Sequence, residues 1–314
     1  MHSLIVSPIS VPGHTFRGRN PETFGVESSH LAQWGFKIAH VPETDQENSK
    51  NPAAAVPDPN QKVAVIIPAK DEADSIGATI RACKALPRAD LFVVIDDGST
   101  DNTGEAARSA GAVVVRHSVN RGKASAMETG AKVAAMRDPE DGPRRLILFL
   151  DADLGDSAAQ TFPLVEAVME GRTDCAIAAL PRQAGAGGHG FVTRLSRRAI
   201  RWATGWEPLQ PLSGQRCLSA EAFFDCQPLA HKWGVETGMT IDLLVKGYSV
   251  QEVPCDLTHR ATGNDMAGYR HRLSQFRDVF LAAATRFVRH VRAPLRLRLA
   301  AASKQQPGEV YCLK

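Results

Sequence analysis

The chain lacks any Cys-x-x-Cys pair. Its six cysteines, Cys83, Cys175, Cys217, Cys226, Cys255 and Cys312, are scattered along 314 residues. Zinc-binding and thiol-redox motifs are therefore unsupported, and reduced thiols in a cytosolic protein are the expectation. No apolar stretch approaches the ~18–20 residues that cross a bilayer. The N-terminus has no basic segment leading into an apolar one, so no signal peptide is expected. Net charge is only +3, which by itself singles out no partner class. Internal repeats and coiled-coil heptads are missing as well. What remains is a chain 43% hydrophobic and 23% charged, enough for one large or two modest domains with a real core.

Residues 1–60 are rich in Pro, Ser, Asn and Gln, show no sustained periodicity, and are expected to form a poorly ordered extension. From Val63 the pattern changes. Strands are expected at Val63–Ile67 (with Pro68 ending the first), Leu91–Ile95, Ala112–Val115, Leu146–Leu150 and Cys175–Leu180. Helices are expected at Ser75–Leu86, Asp101–Ala110 and Lys123–Met136, with a further helix after Leu150 that runs to about Met169. This alternation with short connections implies an α/β fold with a mostly parallel sheet and helices on both faces. Past Pro181 the rhythm breaks. A basic helix is expected over Phe191–Ala203, a strand over Gly214–Leu218, a helix over Val235–Lys246, a strand over Ser249–Val253 and a long helix over Asp265–Val291. A domain over 61–264 and a C-terminal amphipathic helix with a basic tail over 265–314 follow from this division.

The run Leu146–Leu150 is apolar without alternation and closes on Asp151-Ala152-Asp153. Such a strand is covered on both faces, and ligands of open α/β sheets bind beyond the carboxyl ends of their strands. Two acids one residue apart there can hold a divalent cation that carries phosphate oxygens. Three more polar loops follow the first three strands: Pro68-Ala69-Lys70-Asp71-Glu72, Asp96-Asp97-Gly98-Ser99-Thr100-Asp101 and Asn120-Arg121-Gly122-Lys123. Glu72 and Asp97 can accept hydrogen bonds from a base or ribose. Gly98 permits close backbone approach, and Lys123, at a helix start, brings a cation towards phosphate. A turn with a helix cap explains Asp97–Asp101 equally well in isolation. Four such loops on one edge favour a ligand site.

These four motifs, in this order and spacing, resemble family 2 glycosyltransferases of the GT-A fold, and within them the dolichol-phosphate mannose and glucosyl-3-phosphoglycerate synthases. The resemblance covers about residues 62–262. Asp71 stands where the family usually has Asn, and Ala124 where it often has Gly. The resemblance implies that Pro68, Ala69, Glu72, Asp97, Gly98, Lys123, Asp151, Ala152 and Gly214 line a nucleotide-sugar site. It also implies that Asp153, with Asp151 and His259, binds Mg²⁺ or Mn²⁺ on the diphosphate. In Pro211–Arg216, Arg216 would meet phosphate, the alternative being a solvated arginine. Glu236, in Gly234–Gly238, is the candidate general base or sugar anchor, the alternative being a first-turn carboxylate facing the helix dipole.

Gly185–Gly190 fits G-x-G-x-x-G but follows a fifth strand rather than a first one, so a dinucleotide site is not expected. Phe276, Phe280, Ala283, Phe287 and Val291 fall on one helical face beside a run of cations. That helix either packs on the core with a solvated tail or lies on an anionic membrane; no motif supports nucleic acid. The expected function is metal-dependent transfer of a sugar from a UDP- or GDP-sugar to a polyprenyl-phosphate, small phosphorylated or glycan acceptor. Its setting is cytoplasmic or peripheral at the cytoplasmic membrane face. A nucleotidyltransferase and a non-catalytic nucleotide-sugar binding module are the alternatives.

Overall fold

The structure is a computed structural model that describes residues 58–180, 190–258 and 266–313. The expected N-terminal extension lies almost wholly outside the described residues, as do residues 185–189 of the Gly-rich loop and His259.

Seven strands form one sheet: β1 (Val63–Ala69), β2 (Ala89–Asp96), β3 (Val113–Arg116), β4 (Leu146–Phe149), β5 (Cys175–Ala179), β6 (Arg216–Leu218) and β7 (Val250–Pro254). Their order is β3-β2-β1-β4-β6-β5-β7. β1 is parallel to β2 and β4, β2 to β3, and β5 to β7. β6 is antiparallel to both β4 and β5. The mostly parallel sheet is as expected. The reversed strand in its middle was not anticipated, because direction is set by the excursion between β5 and β6 rather than by local pattern.

Pro68 does not end β1. The strand runs on to Ala69, with Pro68 opposite Ile95 and Ala69 opposite Asp96. Proline disrupts a central strand because it cannot donate to the ladder. Here β4 pairs with β1 only as far as Ile66 opposite Phe149, so Pro68 already lies past the point where a second neighbour needs its N–H.

Alternation along β1 divides the core. Val63, Val65 and Ile67 join the apolar layer of α1 (Ile76–Cys83), α2 (Thr103–Ser109) and α4 (Phe162–Met169), while Ala64 and Ile66 join that of α3 (Lys123–Ala135), α5 (Gly190–Thr204), α6 (Ala220–Asp225) and α7 (Val235–Val245). Both faces are covered, which is why β1 and β4 read as continuous apolar runs.

The C-terminal residues depart from expectation. The long helix α8 spans Met266–Val288, a further helix α9 spans Leu295–Ala302, and Tyr311 exchanges backbone hydrogen bonds with Val250. Tyr311 and Leu313 are buried, so the expected basic tail is packed at its end. Among the described side chains of α8, Asp278, Val279, Ala282 and Arg286 are buried, whereas Phe280 and Phe287 are exposed. The inner face is set by close approach. An added Cβ at Gly234 would lie 2.7 Å from Ala282 Cβ, and one at Gly238 would lie 2.7 Å from Arg286 Nη2. A phenylalanine has no room there. Arg286 instead lies flat and pairs with Asp242.

Candidate active site

The loops after β1, β2, β3 and β4 meet on one edge, and hydrogen bonds tie them in sequence. After β1, Asp71 sits at φ 56°, a left-handed position that Asp and Asn tolerate best among residues with a side chain. Its Oδ1 accepts from Thr100 N at 2.7 Å, and Lys70 Nζ pairs with its Oδ2. The Lys70 ammonium and the Thr100 N–H hold the Asp71 carboxyl down at about 2. Glu72 accepts from Ser75 Oγ at 2.8 Å, while its N–H donates to Thr103 Oγ1 at 2.8 Å. Loop one is thus fastened to the loop after β2.

That second loop is fastened to the third. Asp97 is buried, and its oxygens accept from Arg121 N at 2.8 Å and Gly122 N at 2.7 Å, with His117 Nδ1 2.7 Å away. These three partners take up most of the roughly four acceptor positions a carboxylate offers. Gly98, at φ 73°, lets the two loops press together: an added Cβ would fall 3.0 Å from Asn120 N. Asp97 therefore holds the N-terminus of α3 and, through it, the residue that opens that helix.

That residue is Lys123. Its Nζ lies 2.8 Å from Asp151 Oδ1 and 3.0 Å from Glu236 Oε1. Burial disfavours the charge, but the two carboxylates more than offset it, and the ammonium titrates above the ordinary lysine range. Asp151 Oδ2 accepts from Gln215 Nε2 at 2.6 Å. Gly214 closes the cluster, for an added Cβ would fall 2.5 Å from Lys123 Nζ. Donor-side and acceptor-side candidates thus share one cation: Asp151 follows β4, past Leu150, and Glu236 lies in the first turn of α7, 6% exposed.

Asp153 stands half-buried beyond Asp151. The peptide between them is anchored from α1: Thr79 Oγ1 donates to Ala152 O at 2.8 Å and accepts from Gly155 N at 2.9 Å. The carboxylates of Asp151 and Asp153 are hard oxygen donors of the kind a divalent cation takes, and both oxygens of Asp151 also meet Lys123 and Gln215. Among the described residues no three His, Cys, Asp or Glu side chains converge as a complete metal site.

Arg216 is not at the rim. It is 1% exposed, and its guanidinium donates to Ser213 O at 2.9 Å, Thr240 Oγ1 at 2.9 Å and Pro211 O at 3.4 Å. The position is dictated by register: Arg216 opens β6 opposite Phe149 and Ile177, so its side chain turns into the core side of the Pro211–Gln215 turn. The expectation that it meets phosphate gives way to this geometry. A groove lined by Lys62, Asp90, Arg137 and Arg145 lies at the opposite edge, where β1, β2 and β4 begin, and contains none of these groups.

Sequence reasoning passed over Gln215, His117, Thr79 and Thr240. Gln215 adjoins Gly214 and was within reach of motif reading. The other three are buried polar residues whose partners come from distant segments, so no local signal marked them.

The profile of the family described as "Glycosyl transferase family 2" matches residues 64–230. The glucosyl-3-phosphoglycerate synthase of Mycolicibacterium paratuberculosis is 31% identical over 203 residues, 57% of this chain and 59% of that protein. The glycosyltransferase AglJ of Haloferax volcanii is 29% identical over 211 residues, 65% of each chain. The chain thus spans less than two thirds of the length of these relatives. A crystal structure of glucosyl-3-phosphoglycerate synthase from Mycobacterium tuberculosis, in complex with Mn²⁺, uridine diphosphate and phosphoglyceric acid, superposes with a TM-score of 0.58. It is 25% identical and covers 74% of this chain and 80% of that one. The fold is the GT-A fold of that enzyme, and the chain belongs to glycosyl transferase family 2.

Proposed function

We propose that the protein transfers a sugar from a UDP- or GDP-sugar to a phosphorylated acceptor, either a small phosphorylated acid or a lipid phosphate. The observation that carries this reading is the single ammonium of Lys123 shared by Asp151, just past β4, and Glu236 at the start of α7. It joins a nucleotide-side acid to an acceptor-side acid at the edge where α/β sheets bind ligands. The relatives point the same way: one is a glucosyl-3-phosphoglycerate synthase, and another is an undecaprenyl-phosphate 4-deoxy-4-formamido-L-arabinose transferase.

The bond from the anomeric carbon to the diphosphate oxygen breaks, and its electron pair leaves with the nucleoside diphosphate. The new bond forms to an acceptor oxygen. Where that oxygen is a hydroxyl, Glu236 takes its proton; an ionised phosphate acceptor needs no base. Pro68, Ala69, Glu72 and Gly98 border the nucleoside, and Asp97 sets the position of Lys123. Gly214 leaves room for the sugar beside Lys123. Arg216 is a positioning residue that holds the Pro211–Gln215 turn and so Gln215 against Asp151. Mg²⁺ or Mn²⁺ would be held by Asp153, backed by Asp151 and with His259 as a further ligand, and supplies charge neutralisation for the departing diphosphate. The setting is cytoplasmic, with peripheral membrane contact through residues 265–314 when the acceptor is a lipid. Among the described residues no helix is long and apolar enough to cross a membrane.

The test is thermal unfolding with UDP- and GDP-sugars, with and without Mg²⁺ or Mn²⁺. A donor at a hundred times its Kd adds about 2.7 kcal/mol of apparent stability. Asp153→Asn is expected to abolish the cation-dependent part and the turnover. If no nucleotide sugar raises the midpoint with either cation, the reading is wrong. If binding occurs without turnover by the unaltered chain on any phosphorylated acceptor, the chain is a binding module.

A further inference from the structure

On the outward side of α8 the described residues carry a heptad-spaced apolar row, with Arg277 exposed between Leu273 and Phe280. Leu273, Phe280 and Phe287 recur every seven residues and are 69%, 51% and 61% exposed; Leu281 and Val288 repeat the pattern at 53% and 74%. This face is continued by α5. The ring of Phe191, 63% exposed, lies 5.2 Å from that of Phe276, and Trp202 lies 5.1 Å from Phe287. Ring pairs at both ends thus hold the two helices side by side.

Charge surrounds this apolar stripe. Gly190–Thr204 contains four arginines and no acid, and Arg194 and Arg198 are exposed on the same side of α5 as Phe191. From Leu273 to Lys304 the sole acid is Asp278, which is buried, whereas Arg289, Arg292 and Arg296 are exposed. In α9, Leu295 and Leu299 add apolar surface at 60% and 62% exposure.

We propose that the joint face of α5 and α8 docks on an anionic lipid bilayer, with its apolar side chains at the headgroup–acyl boundary and its arginines on lipid phosphates. Charge complementarity selects this occupant. A second copy docked isologously would set arginine against arginine. Nucleic acid would satisfy the arginines but leave the five large apolar side chains of α8 without a partner. The proposal rests on the reading of a lipid-phosphate acceptor and narrows it. The inner face of α8 packs on Gly234 and Gly238, which flank Glu236, so the bilayer lies about one helix diameter, ~10 Å, from the acceptor-side carboxylate.

The experiment is flotation of the full chain with phosphatidylcholine vesicles, with and without phosphatidylglycerol. Binding is expected only with the anionic lipid, and it weakens as salt rises. Arg194→Gln/Arg198→Gln should lower the vesicle partition coefficient about 25-fold, since each basic side chain near such a surface contributes about fivefold. Leu273→Ser/Phe280→Ser should remove binding while leaving the unfolding midpoint in place. Equal partitioning on both vesicle types, unaltered partitioning of both variants, a dimer dispersed by the same substitutions, or capture of duplex DNA instead of vesicles would each overturn the proposal. Nucleotide-sugar stabilisation, measured on the same variants, reports separately on the transfer reading. Its absence with flotation intact sinks that reading alone.

Discussion

A methyl group on the α-carbon of Gly214 would fall 2.5 Å from Lys123 Nζ and 3.2 Å from both carboxylate oxygens of Asp151. Gly214 is outside the left-handed region, so Gly214→Ala meets crowding rather than backbone strain. The ammonium must move, and a displacement near 1 Å in a reacting site costs about 100-fold. We expect kcat/KM to fall by about that factor while the unfolding free energy from urea titration changes by less than about 1 kcal/mol. Unchanged kinetics would place the Lys123 cluster outside the reaction.

Lys123→Met tests the cluster from its centre. It leaves Asp151 and Glu236 facing each other without the cation they share. Removing one partner of a buried pair costs about 3–5 kcal/mol; the 34% exposed Asp151 side chain lowers the expectation to about 2 kcal/mol. The sign with pH is specific. Crowded like charges raise a carboxyl in the folded variant above its unfolded value. The fold is then penalised above that raised value and relieved as pH falls towards about 4. Urea titrations at pH 5 and pH 8 check this: an equal loss at both would mean that the two acids do not repel.

Arg216→Lys separates the buried role of this residue from a substrate contact. A lysine cannot reproduce the forked donation to Ser213 O, Thr240 Oγ1 and Pro211 O. Leaving such buried acceptors unmet costs about 1–3 kcal/mol. We expect that loss in the thermal or urea midpoint, together with about a tenfold fall in kcat/KM as Gln215 loosens from Asp151. Full stability with lost activity would instead return Arg216 to the substrate.

Asp71→Asn gives a test by acid. The folded Asp71 carboxyl lies at about 2, held down by Lys70 and Thr100, against an unfolded value near the ordinary 3.8. Its contribution is therefore complete above that ordinary value and is lost as pH falls towards about 2. The asparagine variant, which keeps the left-handed backbone and an oxygen for Thr100 N, should lack this limb. The difference in midpoint between the two proteins should narrow as pH drops from 5 to 2. A constant difference would mean that the pairing with Lys70 is absent in solution.

The central parallel strands were legible because β1 and β4 are covered on both faces. Leu146–Leu150 and Val63–Ile67 had to be unbroken apolar runs, and the polar loops after them had to share an edge. The pairing of Lys123 with Glu236 was not legible, because 112 residues of chain lie between two individually unremarkable charges. Arg216 misled for a physical reason: arginine is seldom fully buried, so the sequence alone favours a solvent or ligand role. The outward turn of Phe280 and Phe287 was hidden because periodicity identifies a face without saying which way it points. Gly234 and Gly238, which decide the matter by admitting only Ala282 and the flattened Arg286, lie on another helix segment.

The reversed strand β6 hydrogen-bonds to β4 on one side and β5 on the other, and its first residue follows Gln215 directly. The part of the molecule that would grip the nucleotide and the part that would receive the acceptor are thereby stitched into a single sheet. Hinging those two parts away from each other would break the ladder that β6 makes with β4 or with β5.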